Sequence, residues 1–147
     1  MTNVTSPLER LAGPKGPLVA EPPDAREFAA LCHSAEDNLS EARRPDIKLG
    51  ARFLLAYAAA HGYCLAALRH KGFRAHHRYI VFQALPHTLG VGPEIWNVLS
   101  KAHDRRNLAE YEGHIEASEA LVQGILKACE NVAALVKALP PIVRAGQ

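Results

Sequence analysis

The stretch DIKLGARFLLAYAAAHGYCLAALRH, residues 46–70, decides the fold class because it has the composition of a long helix. Alanine and leucine dominate it, and both are strong helix formers. Gly72 lies just past its end, where a glycine is suited to a helix C-cap. Glycine and alanine at many positions of this helix would let a neighbouring helix approach closely. At helical spacing, one face carries Ile47, Ala51, Leu54, Ala58, His61, Leu65 and Leu68.

Four further helices are predicted on either side of this one. The first begins with Asp24 as N-cap and has Glu27 three residues later, which together resemble a capping box. Prolines indicate where the other helices begin or end, because proline is tolerated in the first turn of a helix but not in its interior. The predicted bounds are 24–44, 75–85, 93–113 and 118–139. The fold is therefore predicted to be all-α, an antiparallel bundle of four to five helices.

A chain of 147 residues is the size of one domain, and its prolines mark the limits of that domain. Residues 1–23 contain half of the ten prolines and are predicted to be a flexible tail. Residues 24–141 are predicted to form the single helical domain. Residues 142–147 are predicted to be a short C-terminal tail.

Composition and patterning exclude several classes of protein. The net charge of +2 is too close to zero to indicate a nucleic-acid binder by itself. Cys32, Cys64 and Cys129 lie far apart, without metal-ligand or redox spacing, which favours reduced and buried thiols. The sequence has no run of about 18 apolar residues and no apolar signal-peptide core at its N-terminus. We expect a cytoplasmic protein without a membrane partner.

Arg106 is unusual because it falls within the apolar stripe of the fourth predicted helix. A helical wheel places it between Leu99 and Ala102. An unpaired buried guanidinium is very costly, so Arg106 requires a partner. One hypothesis is an ion pair with Glu110, one turn further on. The other is that Arg106 faces a cleft or a subunit seam and holds a phosphate group with two N–H donors.

The same helix contains DRRNLAEY, residues 104–111, which resembles the signature helix of the HEPN superfamily of small all-α domains. Members of that superfamily carry an arginine, often followed by asparagine, and a histidine a few residues later. The resemblance covers about residues 24–139 and implies that Arg106 is the family arginine and Asn107 its polar neighbour. It also implies a homodimer whose protomers join these residues to cut RNA without metal. Because the superfamily includes toxins paired with nucleotidyltransferase-type antitoxins, such an antitoxin is an implied partner.

The chain departs from the family pattern at the histidine, where it has Tyr111. Tyrosine is a poor acid–base group at neutral pH, so the departure favours RNA binding over RNA cleavage. His103, one turn before Arg106, is one candidate to replace the histidine. His61 is another if its helix faces Arg106, and a core histidine bonded to a carbonyl is the alternative for it. The candidate catalytic residues are Arg106, Asn107, Tyr111 and His103.

Residues 69–79 form a basic segment without an acidic residue. Its cations are suited to the RNA backbone, and Phe73 and Tyr79 are suited to stacking on bases. The alternative is a solvated connection between helices, balanced by the acidic residues of 110–119. The candidate nucleic-acid contacts are Arg69, Lys71, Arg74 and Arg78.

Other chemistries lack their motifs in this sequence. The glycines of residues 89–93 have neither a strand before them nor a lysine after them, as a phosphate loop requires. His76 and His77 are adjacent, so they cannot both point at one metal ion from a regular helix. We predict no metal and no cofactor. The expected function is RNA association, as a toxin-type or degenerate metal-independent ribonuclease, and the alternative is a non-catalytic dimerisation or protein-interaction module.

Overall fold

A computed structural model describes residues 6–13 and 15–143 of the chain. Most of these residues are helical, which confirms the predicted all-α class, and β1 and β2 form a two-stranded antiparallel ribbon. Four of the described helices, α2, α3, α6 and α7, are 18 to 22 residues long. In chain order the elements are α1 (Pro7–Leu11), β1 (Leu18–Ala20), α2 (Ala25–Ala42), α3 (Leu49–His70), β2 (Phe73–Ala75), α4 (Arg78–Gln83), α5 (Leu85–Thr88), α6 (Pro93–Glu112) and α7 (Glu119–Lys137).

The core of the bundle lies around α3, against which α2 and α7 pack along their length. The aromatic rings of Phe53, Tyr57 and Tyr63 on α3 are all buried. Small residues let α2 approach closely, as predicted. A Cβ added to Gly62 on α3 would lie 3.1 Å from the Cβ of Ala35 on α2. Close backbone approach between these two helices therefore depends on glycine and alanine.

The helical face predicted for α3 is not its most buried face. Ala51 and Leu54 belong to that face and are exposed, Leu54 by 45%. The reason is that α3 is covered by α2 and α7 and also by α4, α5 and α6, so no single stripe marks its buried side.

Among the helices of the described ranges, α3 alone is long and apolar enough to cross a membrane by length and composition. Most of its apolar stretch is buried against the rest of the chain. Such burial is typical of the core helix of a bundle, which can be as long and as apolar as a membrane-spanning helix.

The ends of three long helices lie where their capping residues predict. Asp24 Oδ1 accepts hydrogen bonds of 2.8 and 3.0 Å from two backbone N–H groups in the first turn of α2. Pro93 occupies the first turn of α6, and Gly113 ends that helix in the left-handed conformation, with φ +80°. The Ser118 hydroxyl caps α7. These boundaries are confirmed because the capping chemistry is local.

The predicted flexible tail, residues 1–23, is wrong for the part that the structure describes. This part contains α1 and β1, and β1 pairs with β2 so that Leu18 lies opposite Ala75. Leu8 and Leu18 are buried in a small apolar cluster with Leu68 of α3. The N-terminal segment is therefore packed on the end of the bundle.

The positions of the prolines explain why they do not prevent this structure. Pro7 lies in the first turn of α1, where its missing N–H is not needed. β1 is an edge strand, which tolerates prolines beside it. The remaining parts of the two predicted tails, residues 1–5, Pro14 and residues 144–147, lie outside the described residues.

The third predicted helix, residues 75–85, is wrong in its extent. Its first residue, Ala75, belongs to β2, and the helical part is divided between α4 and α5. Pro86 lies in the first turn of α5 instead of ending a helix. The strand was not predicted because its partner β1 lies in the segment interpreted as a tail.

Arg69, in the last turn of α3, fixes the N-terminal segment to the bundle. It is only 2% exposed, and its guanidinium donates a hydrogen bond to the Glu27 carboxylate on α2. The guanidinium also donates to the backbone carbonyls of Glu21, Pro22 and Phe73, at 3.0, 2.9 and 3.2 Å. One buried cation thus joins α2, α3, β2 and the segment after β1.

Arg74 of β2 binds the carboxylates of Glu27 and Glu21 from the side of the solvent, and Nη2 of Arg69 also lies 3.2 Å from Oε2 of Glu21. Arg74 donates to Glu21 at 2.8 Å and to Glu27 at 2.7 Å. The pKa of Glu27 is lowered by its hydrogen bonds to Arg74 and Arg69, and the pKa of Glu21 is lowered by Arg74. Because these folded pKa values lie below the unfolded ones, the stability that the carboxylates contribute is lost as the pH falls through the folded values.

Arg69→Ala is expected to lower the free energy of unfolding by about 3–5 kcal/mol, because it removes the buried donor shared by three backbone carbonyls and by one oxygen of the Glu27 carboxylate. Urea denaturation followed by circular dichroism measures this change. Lys71→Ala, two positions away and exposed, is the control and should change stability by less than about 0.5 kcal/mol. Identical unfolding midpoints for Arg69→Ala and the wild type would contradict the structural role of Arg69.

Candidate functional site

A group of arginine, histidine and tyrosine side chains lies where α3, α4 and α6 meet, and we name it the arginine–histidine cluster. α6 supplies most of its charge, α3 supplies buried rings, and α4 supplies one cation and two further rings. Its members are Tyr57 and His61 from α3, Arg78, Tyr79 and Phe82 from α4, and His103, Arg106, Asn107 and Glu110 from α6.

Phe82 is the apolar contact that the rings of the cluster share. It is fully buried, and its ring centroid lies 5.7 Å from those of Tyr57 and His61 and 5.9 Å from that of His103. Tyr57 and His61 are one helical turn apart, so they present their rings to α4 from the same side of α3. The ring of Tyr79 lies 5.4 Å from that of His103 and covers the cluster at its outer edge.

A chain of hydrogen bonds runs through His103. The Tyr57 hydroxyl lies 2.9 Å from Nδ1 of His103, and Nδ2 of Asn107 lies 3.1 Å from Nε2. Arg106 donates to Oδ1 of Asn107 at 3.4 Å, which orients the amide with Nδ2 towards His103. The amide donates to Nε2, so a neutral His103 carries its proton on Nδ1 and donates it to the Tyr57 oxygen. Both ring nitrogens of His103 are therefore occupied.

Arg106 makes the ion pair predicted as one of its two alternatives. Its Nη2 lies 2.9 Å from Oε1 of Glu110, and its Cζ lies 5.5 Å from the centre of the Tyr57 ring. The side chain is still 22% exposed. It also lines a groove of about 410 Å³ together with Leu54 and Ala109. The guanidinium is thus held against an aromatic ring with part of its donor edge open to solvent.

Burial and positive charge keep the two histidines neutral. Burial lowers the pKa of His61 to about 4, and the charges of Arg78 and Arg106 act in the same direction. Burial also lowers the pKa of His103, although nearby carboxylates oppose this shift. Burial raises the pKa of Tyr57, while the two guanidinium groups oppose that rise. At neutral pH the cluster therefore contains two fixed cations, the carboxylate of Glu110 and uncharged rings.

The structure brings together only some of the residues predicted for the site. Arg106, Asn107 and His103 lie together, whereas Tyr111 is 93% exposed and points to solvent. Of the four predicted nucleic-acid contacts, Arg78 belongs to the cluster. The prediction is wrong for Arg69, which is buried in structural hydrogen bonds, and Arg74 is engaged by two carboxylates. Lys71 is exposed at the end of α3.

Tyr57 and Phe82 were not predicted to belong to the site. Tyr57 precedes His61 by one helical turn and lies on the same face of α3. The hypothesis that His61 faces Arg106 therefore also implies that Tyr57 faces it. Phe82 carries no comparable signal, because its position depends on the division between α4 and α5. His61 itself does lie near Arg106, but its Nε2 is buried without a hydrogen-bond partner among the described residues, so no carbonyl bond to that atom is present.

Neither a metal centre nor a known relative identifies the site. Within residues 6–13 and 15–143, no group of three or more histidine, cysteine or acidic side chains is placed to hold a metal ion. Comparison with protein-family models, with curated proteins and with solved structures gives no match. The resemblance of residues 104–111 to the HEPN superfamily stays a prediction, and the function must be inferred from the geometry of the cluster.

Acidification is expected to destabilise the fold through His61. Its folded pKa of about 4 lies below the value of about 6.5 expected in the unfolded chain, so the unfolded state binds the proton first. The free energy of unfolding should therefore fall between about pH 7 and pH 4, and His61→Gln should reduce this fall. Urea denaturation at several pH values measures it. His33→Gln, at an exposed position, is the control, and an unchanged fall in His61→Gln would contradict the assignment.

Proposed function

We propose that this chain is a HEPN-like helical domain that binds single-stranded RNA through the arginine–histidine cluster. The observation that carries the proposal is the placement of two guanidinium groups, Arg78 and Arg106, around the same uncharged rings. A half-exposed tyrosine lies beside them. Cations next to accessible aromatic rings are the combination with which proteins bind single-stranded nucleic acid.

The two arginines differ in how much of their charge is compensated. Arg78 is exposed, and among the described residues no carboxylate lies within 4.0 Å of it. Arg106 is paired with Glu110, but this pair uses only part of its five N–H donors. The Tyr57 ring lies against the Arg106 guanidinium, and the N–H donors that Glu110 and Asn107 do not use are left for a phosphate. Both groups are therefore suited to backbone phosphates.

Tyr79 supplies the surface on which a base would stack. Its side chain is 42% exposed, and it lies one residue from Arg78 and against His103. Single-stranded RNA offers unpaired bases, whereas the bases of a duplex are stacked on one another and not accessible. The position of Tyr79 therefore favours a single strand as the ligand.

The geometry favours RNA binding without cleavage, as in a degenerate ribonuclease. A general acid or base needs a ring nitrogen that can exchange a proton near neutral pH. Both nitrogens of His103 are hydrogen-bonded, and the low pKa of His61 makes it a weak base. Tyr111, at the family histidine position, points away from the cluster. We therefore assign Arg106 and Asn107 to binding.

Arg106→Ala is expected to weaken the binding of labelled single-stranded RNA by at least about tenfold, the effect of losing one charge-assisted contact. The neighbouring Arg105→Ala is the matched control, because Arg105 is exposed and lies outside the cluster. Fluorescence anisotropy measures the affinity, and circular dichroism checks the fold. The slope of log affinity against log salt should also become shallower by about 0.7 in Arg106→Ala.

Three results would contradict this proposal. The first is that Arg106→Ala binds the RNA with wild-type affinity while Arg105→Ala binds it more weakly. The second is the absence of RNA binding by the folded wild type at low salt. The third, rapid cleavage of the RNA with or without chelator, would replace binding with metal-independent ribonuclease activity.

The partners that belong to this proposal are a second copy of the chain and, by the HEPN resemblance alone, a cytoplasmic nucleotidyltransferase-type antitoxin. Self-association is the second candidate function, and a specific surface favours it. The groove beside Arg106 is lined by the apolar side chains of Leu54, Ala109 and Ile115 and, at its rim, by Glu110 and His114. Leu54 is a large apolar side chain exposed on the core helix. A second copy related by a two-fold axis would cover the same groove on each protomer.

Light scattering is expected to show a dimer that Leu54→Asp dissociates, because the substitution places a charge in an apolar interface. Leu135→Asp on α7 is the matched control, since Leu135 is also a partly exposed leucine but lies away from the groove. A monomeric wild type at high concentration, or dissociation by Leu135→Asp alone, would exclude this interface.

A further inference from the structure

Arg78 also lines a second, smaller cavity that contains none of the α6 residues. Three histidines line it together with Arg78, and we name it the histidine pocket: His61, His76, His77 and Arg78, with Leu65 and Val81 as apolar walls. Its volume is about 150 Å³. This is below the ~300–1,000 Å³ that cofactors and comparable ligands occupy, so the pocket is suited to a small group.

The residues of the histidine pocket are held by fixed elements of the fold. The backbone N–H of His76 donates to the carbonyl of Pro17 at 3.0 Å, which extends the pairing of β1 with β2. His77 is the N-cap residue of α4, and its ring centroid lies 6.3 Å from that of His76. His61 comes from the core helix α3. The His76 side of the pocket is thus joined to the docked N-terminal segment.

The chemistry of the histidine pocket is that of an anion site. Its walls contain a guanidinium and three imidazoles, all of which can donate N–H groups, and no carboxylate. His61 Nε2 has no hydrogen-bond partner among the described residues. That nitrogen is itself buried, so the donors that face the cavity are those of Arg78, His76 and His77, which are exposed.

Phosphate is the anion that this arrangement fits best. A phosphate monoester carries nearly two negative charges and presents three oxygens, so it accepts hydrogen bonds from several directions at once. Arg78 connects the histidine pocket with the arginine–histidine cluster, which contains the proposed contacts to the RNA backbone. An RNA that follows the two arginines would end at the pocket.

We propose that the histidine pocket binds the terminal phosphate group of the RNA, so that the protein distinguishes phosphorylated RNA ends from hydroxyl ends. This inference rests on the proposed function. Internal phosphates are diesters flanked by two sugars, and a cavity of this volume admits a chain end more readily than the middle of a strand.

The test compares three short single-stranded RNAs of one sequence, with a 5′-phosphate, with a 3′-phosphate, or with hydroxyls at both ends. One of the phosphorylated forms should bind the wild type about tenfold more tightly than the hydroxyl form, the gain of one charge-assisted hydrogen bond. The double variant His76→Ala/His77→Ala should lose this gain and keep its affinity for the hydroxyl form. His87→Ala, an exposed histidine on α5, is the control and should keep the gain.

A second measurement detects phosphate binding to the histidine pocket in the absence of RNA. Titration of inorganic phosphate should shift the imidazole NMR signals of His76 and His77 in the wild type more than chloride does at equal ionic strength. Equal affinity for the three RNAs would overturn the inference and leave RNA binding intact. Phosphate-specific shifts without binding of any RNA would overturn the proposed function but support a phosphate pocket. Equal shifts with chloride and phosphate would overturn the phosphate assignment.

Discussion

The buried guanidinium of Arg69 is the interaction on which the rest of the structure depends. It ends the core helix α3 and reaches the carboxylate of Glu27 and three backbone carbonyls that come from separate parts of the chain. Removing a cation of this kind from water is expensive, and only several well-placed partners offset the cost. The connection after α3 is therefore held in one position, and α4 starts from it. The arginine–histidine cluster and the histidine pocket both contain Arg78 of α4, so both depend on this interaction.

Charges are distributed unevenly over the chain, and the net charge of +2 does not show this. One pair of arginines, Arg69 and Arg74, is neutralised by acidic partners and is structural. Another pair, Arg78 and Arg106, lies around uncharged rings, with Glu110 as the paired carboxylate. The two pairs have the same side-chain chemistry, and their roles differ because of which carboxylates the fold brings near them.

Local signals in the sequence predict a large part of the fold, and long-range contacts determine the rest. The caps at Asp24, Pro93, Gly113 and Ser118 define helix ends because they act within one turn. The pair Arg106–Glu110 is likewise a one-turn contact and was foreseen as an alternative. In contrast, β1 and β2 stabilise each other across a wide sequence separation, and neither has an alternating pattern of its own. The burial of Arg69 follows from that docking, and the placement of Phe82 depends on the division between α4 and α5, so neither could be predicted locally.

The pairing of Leu18 with Ala75 also orders events during folding. The contacts between α2 and α3 join neighbouring segments of the chain, and such contacts form early because little loop entropy is lost. The β1–β2 ribbon closes a much longer loop, which contains α2 and α3. It is therefore expected to form after these two helices have packed against each other. A newly made chain would therefore pair α2 with α3 before it forms either the arginine–histidine cluster or the histidine pocket, both of which also need α4.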